Sequence, residues 1–566
     1  MLPLQPPYVA ADERDQEIFQ VTVRDDHYLR RVKAVIDFER FRSGLAATYS
    51  PDHGRPAIEP LLLLKLEFLQ YHYNLSDRQV VEQAQYNMAF RWFLGLSLDS
   101  PLPHHTLLTY FRQRLGQDKH QEIFDALVGQ AREQGLVKDR LRLKDATHII
   151  ANIAIPSTIG LVRQTRQRLL HALQPWDADY VAQQEQHVLV VRTATADLSN
   201  DQRLLQRVAH LRQIVARADA VLAGSVFAEA PAVRQEPLRQ AAQAAHHLLA
   251  DRDDPKSQRP LRSAVDPDAR RVKHSGWHTG YLLDVAMDAD SQILTAVQVL
   301  PGSSNEGANV TALLRHEEAV HGNDVQAVSV DGAGHQGPVL RELTDPAAGL
   351  GVEVFVPPRE QQPAGVFTAE QFTLDAAGTN LTCPAGQTTS KRRRVWHDHG
   401  WGYRFDRATC AACPLLAQCV KQLPQQTGRT VIKNDYEAEY RAVRAKAQTP
   451  AYAEARRQHK AIERKLGEMV RWHRGRRARY WGLGRVGVQG LLTAVVVNVK
   501  RMVSWVGQVV PDPGWRADGA RRRGRLGGTQ AEKGPSKARS CPTASDQQLP
   551  ATSLALTPRL HHNNQP

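Results

Sequence analysis

The sequence is poor in cysteine and in long apolar runs. Only five of its 566 residues are cysteine, which excludes a disulfide-stabilised scaffold and favours a reducing compartment. The longest apolar stretch, around Leu491–Val499, is much shorter than the roughly 20 residues that span a bilayer. The N-terminal MLPLQPPYVAADERD lacks the basic and apolar regions of a signal peptide. We therefore expect a soluble protein of the cytoplasm with no membrane partner.

Acidic residues are also scarce relative to basic ones. Lys and Arg total 73 against 59 Asp and Glu, which gives a net charge of +14 and a pI near 9.6. Such an excess predicts a polyanionic partner, most simply nucleic acid. Hydrophobic residues make up 42% and charged residues 23%, an ordinary globular composition. The length predicts several domains.

The first part of the chain predicts helices. We predict an irregular lead-in with one short helical stretch over residues 1–58, and a helical, DNA-binding-like domain over residues 59–135. Ser76 and Gln79 form a plausible capping box, and HTLLTYFRQRLG, with Arg112 and Arg114, predicts a third helix. Three short helices with basic residues on the last resemble a helix-turn-helix module. A bundle used only for packing or dimerisation fits the same pattern.

The middle of the chain predicts an α/β core interrupted by insertions. YLLDVAMD and SQILTAVQVLPG predict an antiparallel pair that turns at Ala289–Asp290, and helices then alternate with buried strands, which favours a partly parallel sheet. The predicted segments are a first core strand at 136–157, a helical insertion at 158–260, core elements at 261–360, a Cys-rich insertion at 361–434, core helices at 435–508 and a disordered basic tail at 509–566. Residues 513–566 contain nine Lys or Arg against three Asp or Glu, including the basic run Arg521–Arg525, which suits nonspecific phosphate binding.

Three acidic residues stand out by placement. Asp145 lies inside an apolar strand pattern, where an unpaired carboxylate is costly. Asp331 ends the apolar strand AVSV, at the edge of an α/β sheet where ligands gather. Glu463 lies in a long basic helix. Converging carboxylates suit Mg²⁺ or Mn²⁺, and two such ions activate a water or a 3′-hydroxyl for phosphodiester chemistry. Each acid taken alone also fits a cap, a turn or a surface ion pair.

Several longer motifs carry a family resemblance. They are, in order, PLLLLKLEFLQYHYNLSDRQVVEQAQYNMAFRWFLGL, LKDATHIIANIAIPSTIG, DPDARRVKHSGWHTGYLLDVAMD, AVSVDGAGHQG and IERKLGEMVRWHRGRRARYWGLGRVGVQGLLTAVVVNVKRM. Together they resemble bacterial insertion-sequence transposases of the DDE class, in particular the IS1182-like group, with an InsH-type N-terminal domain. The resemblance covers roughly residues 15–505 and leaves out the tail.

The resemblance implies a ribonuclease-H-like catalytic core, a mixed sheet flanked by helices, and cut-and-join chemistry on DNA. It places the three metal-binding acids at Asp145 in KDAT, Asp331 in VDGAGH and Glu463 in AIERK. Glu468 is the alternative third acid, about 140° further around the same helix, so that only one of the two faces the metals. His335 stands where the family often has tyrosine, next to the glycine after the second acid.

Basic residues crowd the end of the helix that carries Glu463. They are Arg471, Arg474, Arg476, Arg477 and Arg479. Guanidinium groups pair bidentately with phosphate, so we predict that these residues contact DNA, with Trp472 and Tyr480 stacking on a flipped base. A solvated basic face with Trp472 in the core is the structural alternative. Lys273 and His278 are weaker candidates for DNA contacts.

Four of the five cysteines are clustered. Cys383, Cys410, Cys413 and Cys419 have the Cys-x2-Cys spacing and the further partners of a structural zinc with four thiolates. His397 and His399 are spare ligands, and four reduced cysteines in a small subdomain are the alternative. The basic and aromatic stretch KRRRVWHDHGW in the same insertion predicts that this subdomain touches DNA.

These patterns together predict a metal-dependent transposase that cleaves DNA at insertion-sequence ends and transfers the strands to target DNA. Its cofactors would be Mg²⁺ or Mn²⁺, with a structural Zn²⁺. Its partners would be double-stranded DNA, as inverted-repeat ends and target, and further copies of the chain. We expect it on the nucleoid of a bacterial cytoplasm. The alternatives are a non-catalytic DNA-binding protein derived from a transposase and a ribonuclease-H-like nuclease with another substrate.

Overall fold

The computed structural model of the chain describes most residues up to Val509. The described ranges are 8–50, 58–194, 197–254, 260–273, 276–359, 366–396, 399–422, 424 and 426–509. The predicted basic tail from residue 510 onward, with Arg521–Arg525, lies outside the described residues, and so does the spare ligand His397.

The N-terminal region is helical. Its helices are α1 Glu13–Thr22, α2 Tyr28–Val35, α3 Arg42–Ala46, α4 Pro60–His72, α5 Asp77–Tyr86, α6 Met88–Leu94 and α7 Thr106–Glu133. Where the sequence predicted an irregular lead-in with one short helical stretch, the structure has the three helices α1, α2 and α3. Phe19, Leu29 and Val32 are buried in the hydrophobic core that these helices share with the helices that follow. The predicted capping box at the start of α5 is confirmed.

A second helical region forms the predicted insertion. It contains α8 Thr158–Leu173, α9 Ala178–Ala194, α10 Asn200–Leu222, α11 Ser225–Ala228 and α12 Ala232–Asp253. Leu169, Ile214 and Leu248 are buried in a hydrophobic cluster of its own. This region therefore packs as a separate bundle beside the sheet described next.

The central sheet is mixed, with six strands in the described residues. The strands are β1 Arg142–Ile150, β2 Arg270–Lys273, β3 Trp277–Asp288, β4 Leu294–Pro301, β5 Ala327–Ser329 and β6 Glu353–Phe355; the helices between them are α13 Val310–His321 and α14 Gly337–Thr344. The predicted hairpin is confirmed, because β3 pairs with β4 antiparallel. β3 also pairs antiparallel with β1, whereas β1–β5 and β5–β6 are parallel. The predicted α/β order with a partly parallel sheet is thus confirmed.

The cysteine-rich segment folds into short strands and helices. They are β7 Thr373–Leu374, β8 Leu381–Thr382, β9 Thr388–Thr389, β10 Arg392–Val395, β11 Gly400–Arg404, α15 Arg407–Ala411, α16 Leu416–Cys419 and β12 Thr430–Asn434. β7–β8–β9 and β10–β11–β12 form two small antiparallel sheets. Phe372, Tyr403 and Phe405 are buried between them.

The last helices pack on the two faces of the central sheet. They are α17 Glu437–Lys446, α18 Pro450–Trp472 and α19 Leu483–Val509. Ile462 and Met469 of α18 and Val497 of α19 pack on the face formed by Val285 and Met287. α13, α14 and α17 pack on the other face, around Val328 and Val330.

α19 is the apolar closing helix that the sequence predicted. Its segment Leu483–Val506 is, within the described residues, the one helix long and apolar enough to cross a membrane by length and composition. However, 83% of its most apolar window is buried inside the protein. Its side chains pack against both the N-terminal helices and the sheet, as those of a core helix do.

Candidate active site and its surroundings

Asp145 and Asp331 lie at the same level of neighbouring parallel strands. The register pairs Leu143 of β1 with Ser329, the last residue of β5. Asp145 lies two residues further along β1, and Asp331 lies two residues beyond Ser329, just after the end of β5. Because side chains alternate between faces, both carboxylates lie on one face of the sheet, and neighbouring strands are roughly 4.8 Å apart. Two carboxylates from distant parts of the sequence thus meet at one place.

α18 brings the third carboxylate to this face. Nδ1 of His459 lies 3.1 Å from the hydroxyl of Ser329, and Arg456 donates to the carbonyl of Val330 at 2.7 Å. Glu463 is four residues after His459 and therefore one turn along the same side of the helix. It is exposed, unlike the buried apolar side chains that hold α18 on the sheet.

The pKa of Asp145 is affected by the charges of the other two acids. The pKa of Asp145 is raised to about 6, chiefly by burial and in smaller part by the charges of Asp331 and Glu463. The N–H of Ala146, which donates to Asp145 at 2.8 Å, and the ammonium of Lys144 lower it in part. The site therefore has excess negative charge at neutral pH, which a divalent cation neutralises.

Glu468, the alternative third acid, is occupied elsewhere. Its carboxylate accepts from Lys500 at 2.7 Å and from Lys465 at 3.2 Å. Burial raises its pKa, but these two ammonium groups outweigh burial and hold the pKa below its usual value. Between the two glutamates, the contacts favour Glu463 as the member of the acidic group.

The second acid is held by the turn that follows it. Asp331 accepts the N–H of Ala333 at 3.1 Å and so caps a short 3-10 turn. A Cβ at Gly334 would lie 2.6 Å from Val330, so this position needs glycine. His335 is buried and stacks on Tyr440 at 4.8 Å, and burial lowers its pKa. His335 is therefore a packing residue.

Arg456 and His459 were missed by the sequence reasoning. They precede Glu463 by seven and four residues and lie on the same side of α18. This helical spacing is the signal that could have identified them. They contact β5 just before Asp331 and thereby fix the position of α18 relative to that strand.

The four cysteines surround one small cavity, which Phe372 and Phe405 also line. Cys383 follows β8, Cys410 and Cys413 come from α15 and the turn after it, and Cys419 ends α16. Burial raises the pKa of the Cys419 thiol, and the other three cysteines add to the shift, while Arg429 opposes it.

Close packing around Cys410 supports this arrangement. The N–H of Arg429 points to its sulfur at 3.4 Å, and a Cβ at Gly428 would lie 2.7 Å from the same sulfur. His399 lies at the turn between β10 and β11, edge-on to Tyr436, and is not among the residues that line the cavity. Four convergent thiols are the donor set that zinc prefers.

Neither group has the closed geometry of a loaded metal site. Among the described residues, no three or more His, Cys, Asp or Glu side chains are arranged so that they could hold a metal ion. The three carboxylates share one face of the sheet, and the four cysteines line one cavity. In neither group do the described side chains lie at the mutual distances of metal ligands.

Two predicted DNA contacts are corrected by burial. Arg112 is 8% exposed, pairs with Glu67 at 3.4 Å and with Asp77, and lies over the ring of Tyr480. The hydroxyl of Tyr480 is 3.2 Å from that of Tyr71. Arg112 and Tyr480 therefore join the N-terminal helices to the segment after α18 and do not face a ligand.

The remaining candidates for DNA contact fall into a half-buried group and an exposed group. Arg476 donates to the carbonyl of His148 at 2.8 Å, and Arg479 lies over the ring of Tyr71, so both are half-buried structural contacts. The exposed residues are Arg114, Lys273, Arg471, Arg474, Arg477 and Trp472, the last of which is 69% exposed. Arg114 lies over Tyr49 at 4.4 Å. His278 is half-buried in the β2–β3 hairpin. For the exposed group, DNA contact stays a prediction.

Comparison with known families agrees with a helical N-terminal region followed by an α/β core. Residues 17–114 match the family described as "Transposase domain (DUF772)", and residues 382–503 match the "Transposase DDE domain". Both families are described as transposase domains, and the two matches support a DDE insertion-sequence transposase. The second match includes Glu463 but neither aspartate, and the IS1182-like group stays a prediction.

One similar protein comes from Rhizobium meliloti and is described as an uncharacterized protein, ORF8 in the nfe locus. It is 31% identical over 113 residues, which are 19% of this chain and 54% of that protein. The chain thus spans about half the length of this relative. No solved structure matches the chain.

Proposed function

We propose that the protein cleaves DNA at the ends of its insertion sequence and joins the freed 3′ ends to target DNA. The observation that carries this proposal is the convergence of Asp145, Asp331 and Glu463 on one face of the mixed sheet. The proposed core is ribonuclease-H-like, as the family resemblance implies. The exposed arginines after α18 would bind the phosphates that flank the cleaved bond.

The three carboxylates would hold Mg²⁺ or Mn²⁺. Such ions, when bound, activate the attacking water or hydroxyl and stabilise the leaving oxygen. The chain's own contribution is to keep the carboxylates together. β1 and β5 fix the spacing of Asp145 and Asp331, and the contacts of Arg456 and His459 with β5 fix the approach of Glu463.

We further propose that Cys383, Cys410, Cys413 and Cys419 hold a structural Zn²⁺. One supporting observation is that all four cysteines line one cavity. Another is that Gly428 packs so closely on the sulfur of Cys410 that a Cβ there would lie 2.7 Å from it. Because two DNA ends must be held together during joining, we also propose that the protein acts as an oligomer on DNA.

The test is nicking of a supercoiled plasmid that carries the element ends, with Mg²⁺ present. The wild type should nick the plasmid, whereas Asp331→Asn and Glu463→Gln should bind DNA without nicking it. Glu468→Gln is the matched control on the same helix and should retain nicking, because Glu468 pairs with lysines.

Three outcomes count against parts of the proposal. Equal nicking by the wild type and Asp331→Asn removes the catalytic assignment. Loss of nicking in Glu468→Gln but not in Glu463→Gln exchanges the third acid. Binding without nicking by the wild type indicates a DNA-binding protein derived from a transposase.

A further inference from the structure

The sheet β10–β11–β12 has a strongly one-sided charge. Its strands, RRRV, GWGYR and TVIKN, contain four arginines and one lysine and no acidic residue. Within the described residues, Arg392, Arg393 and Arg404 form no ion pair with a carboxylate. All three side chains are exposed, and positive charge without carboxylate partners favours a polyanionic partner.

Arginine and tryptophan side chains alternate along the edge of this sheet. The guanidinium of Arg392 lies 4.4 Å from the ring centre of Trp401. Arg394 lies between two rings, 5.6 Å from Trp401 and 5.1 Å from Trp396. We call these four residues the Arg–Trp ladder. Stacking of this kind holds the guanidinium groups in fixed planes.

The outer end of the ladder is open. Trp396 is 78% exposed, although a large aromatic ring costs free energy when it is left in water. An exposed indole face next to guanidinium groups is suited to nucleic acid, because bases stack on the ring while phosphates pair with the arginines. An acidic peptide would satisfy the arginines and leave the ring without a partner.

The ladder is tied to the helix that follows the second acid. Arg394 pairs bidentately with Asp435, at 2.9 Å for one of the two bonds. The carbonyl of Asp435 accepts from Arg341 of α14 at 2.8 Å, and Arg341 lies over Tyr436 at 4.3 Å. α14 begins six residues after Asp331. The contacts therefore run from the ladder to the segment directly after the acidic site.

We propose that the Arg–Trp ladder is a second DNA-binding surface, which stacks a base on Trp396 and pairs phosphates with Arg392. This inference rests on the proposed function, because it takes the bound polyanion to be the DNA that the acidic site cleaves. It assigns to the cysteine-rich subdomain a role in holding DNA, in addition to any metal that it contains.

The test uses the full-length protein and a fluorescently labelled duplex of one element end, with affinity measured at several KCl concentrations. Trp396→Ala should weaken binding about fivefold or more, the usual scale for one stacked base. Trp396→Phe should restore most of this loss. Arg392→Ala should reduce the slope of log affinity against log salt by about 0.9, as expected for one lost phosphate contact.

Arg234→Ala is the matched control, because Arg234 also lies over a tryptophan, Trp176, at 5.0 Å, but in the helical insertion. Unchanged affinity and slope in the ladder variants, or an equal loss in the control, would overturn the inference. If the ladder variants lose affinity while even the wild type fails to nick, the DNA-binding surface stands and the cleavage function falls. If the wild type nicks and the ladder variants bind normally, the cleavage function stands and the proposed DNA-binding surface falls.

Discussion

Replacing Asp145 by asparagine should make the protein more stable while it abolishes DNA cleavage. The ordinary pKa of 3.8 for Asp145 is raised to about 6, first by burial and then by the neighbouring carboxylates. At about 1.36 kcal/mol per pKa unit, the ionised side chain costs up to about 3 kcal/mol of folding free energy above pH 6. Asparagine removes the charge and keeps an oxygen for the N–H of Ala146.

The pH dependence gives this prediction a definite sign. Because the pKa of Asp145 is raised in the folded state, the folded protein binds this proton more tightly than the unfolded chain does. The wild type therefore loses stability as pH rises from about 4 to about 6, and the variant lacks that loss. The stability difference should be small at pH 4 and complete above pH 6.

The assay is urea unfolding of both proteins at pH 4 and pH 7.5, with Glu454→Gln as the control. Glu454 lies on the exposed side of α18 and pairs with Arg457, so its replacement should have only a small effect. Adding Mg²⁺ at pH 7.5 should stabilise the wild type more than Asp145→Asn. It should therefore narrow the difference in free energy of unfolding between the two proteins. The reasoning is refuted if Asp145→Asn unfolds at the same or a lower urea concentration than the wild type at pH 7.5.

Two further predictions concern the cysteines and Arg112. Cys413→Ser should lose the bound zinc that metal analysis finds in the wild type, whereas Cys541→Ser, outside the cluster, should retain it; equal zinc content would contradict the assignment. Arg112→Ala should lower the free energy of unfolding by about 3 kcal/mol, because the fully buried Glu67 loses its guanidinium partner and keeps only the His120 ring nitrogen at 3.4 Å among its contacts in the described residues. It should not change the salt dependence of DNA binding. A changed salt slope with unchanged stability would instead restore Arg112 as a DNA contact.

Periodic patterns and resemblance predicted the parts of the fold that depend on local sequence. Alternating and continuous apolar runs located the β3–β4 hairpin, and the long apolar run located α19. The placement of Asp145 and Asp331 after apolar strand residues, together with the family motifs, identified two carboxylates that the strand register brings together.

Features that depend on distant partners could not be predicted in this way. Arg112 has the sequence context of an exposed helical arginine, but its partners Glu67 and Asp77 lie on other helices. The lead-in contains apolar residues such as Phe19 and Leu29 at wide spacing, and its helices are stabilised by packing against α6 and α19. Similarly, the choice of Glu463 over Glu468 required the lysines that surround Glu468.

α19 has a consequence for the order in which the chain folds. Its residues Leu492, Val496 and Met502 complete the hydrophobic core of the N-terminal helices, while Leu491 and Val497 complete that of the sheet. During synthesis, neither hydrophobic core is complete until nearly 500 residues have left the ribosome, because both cores need side chains of α19. The two cores are therefore completed at the same stage of folding. A product of premature termination would expose both apolar surfaces and be a substrate for chaperones and proteases, which couples the appearance of a stable protein to translation of an intact gene.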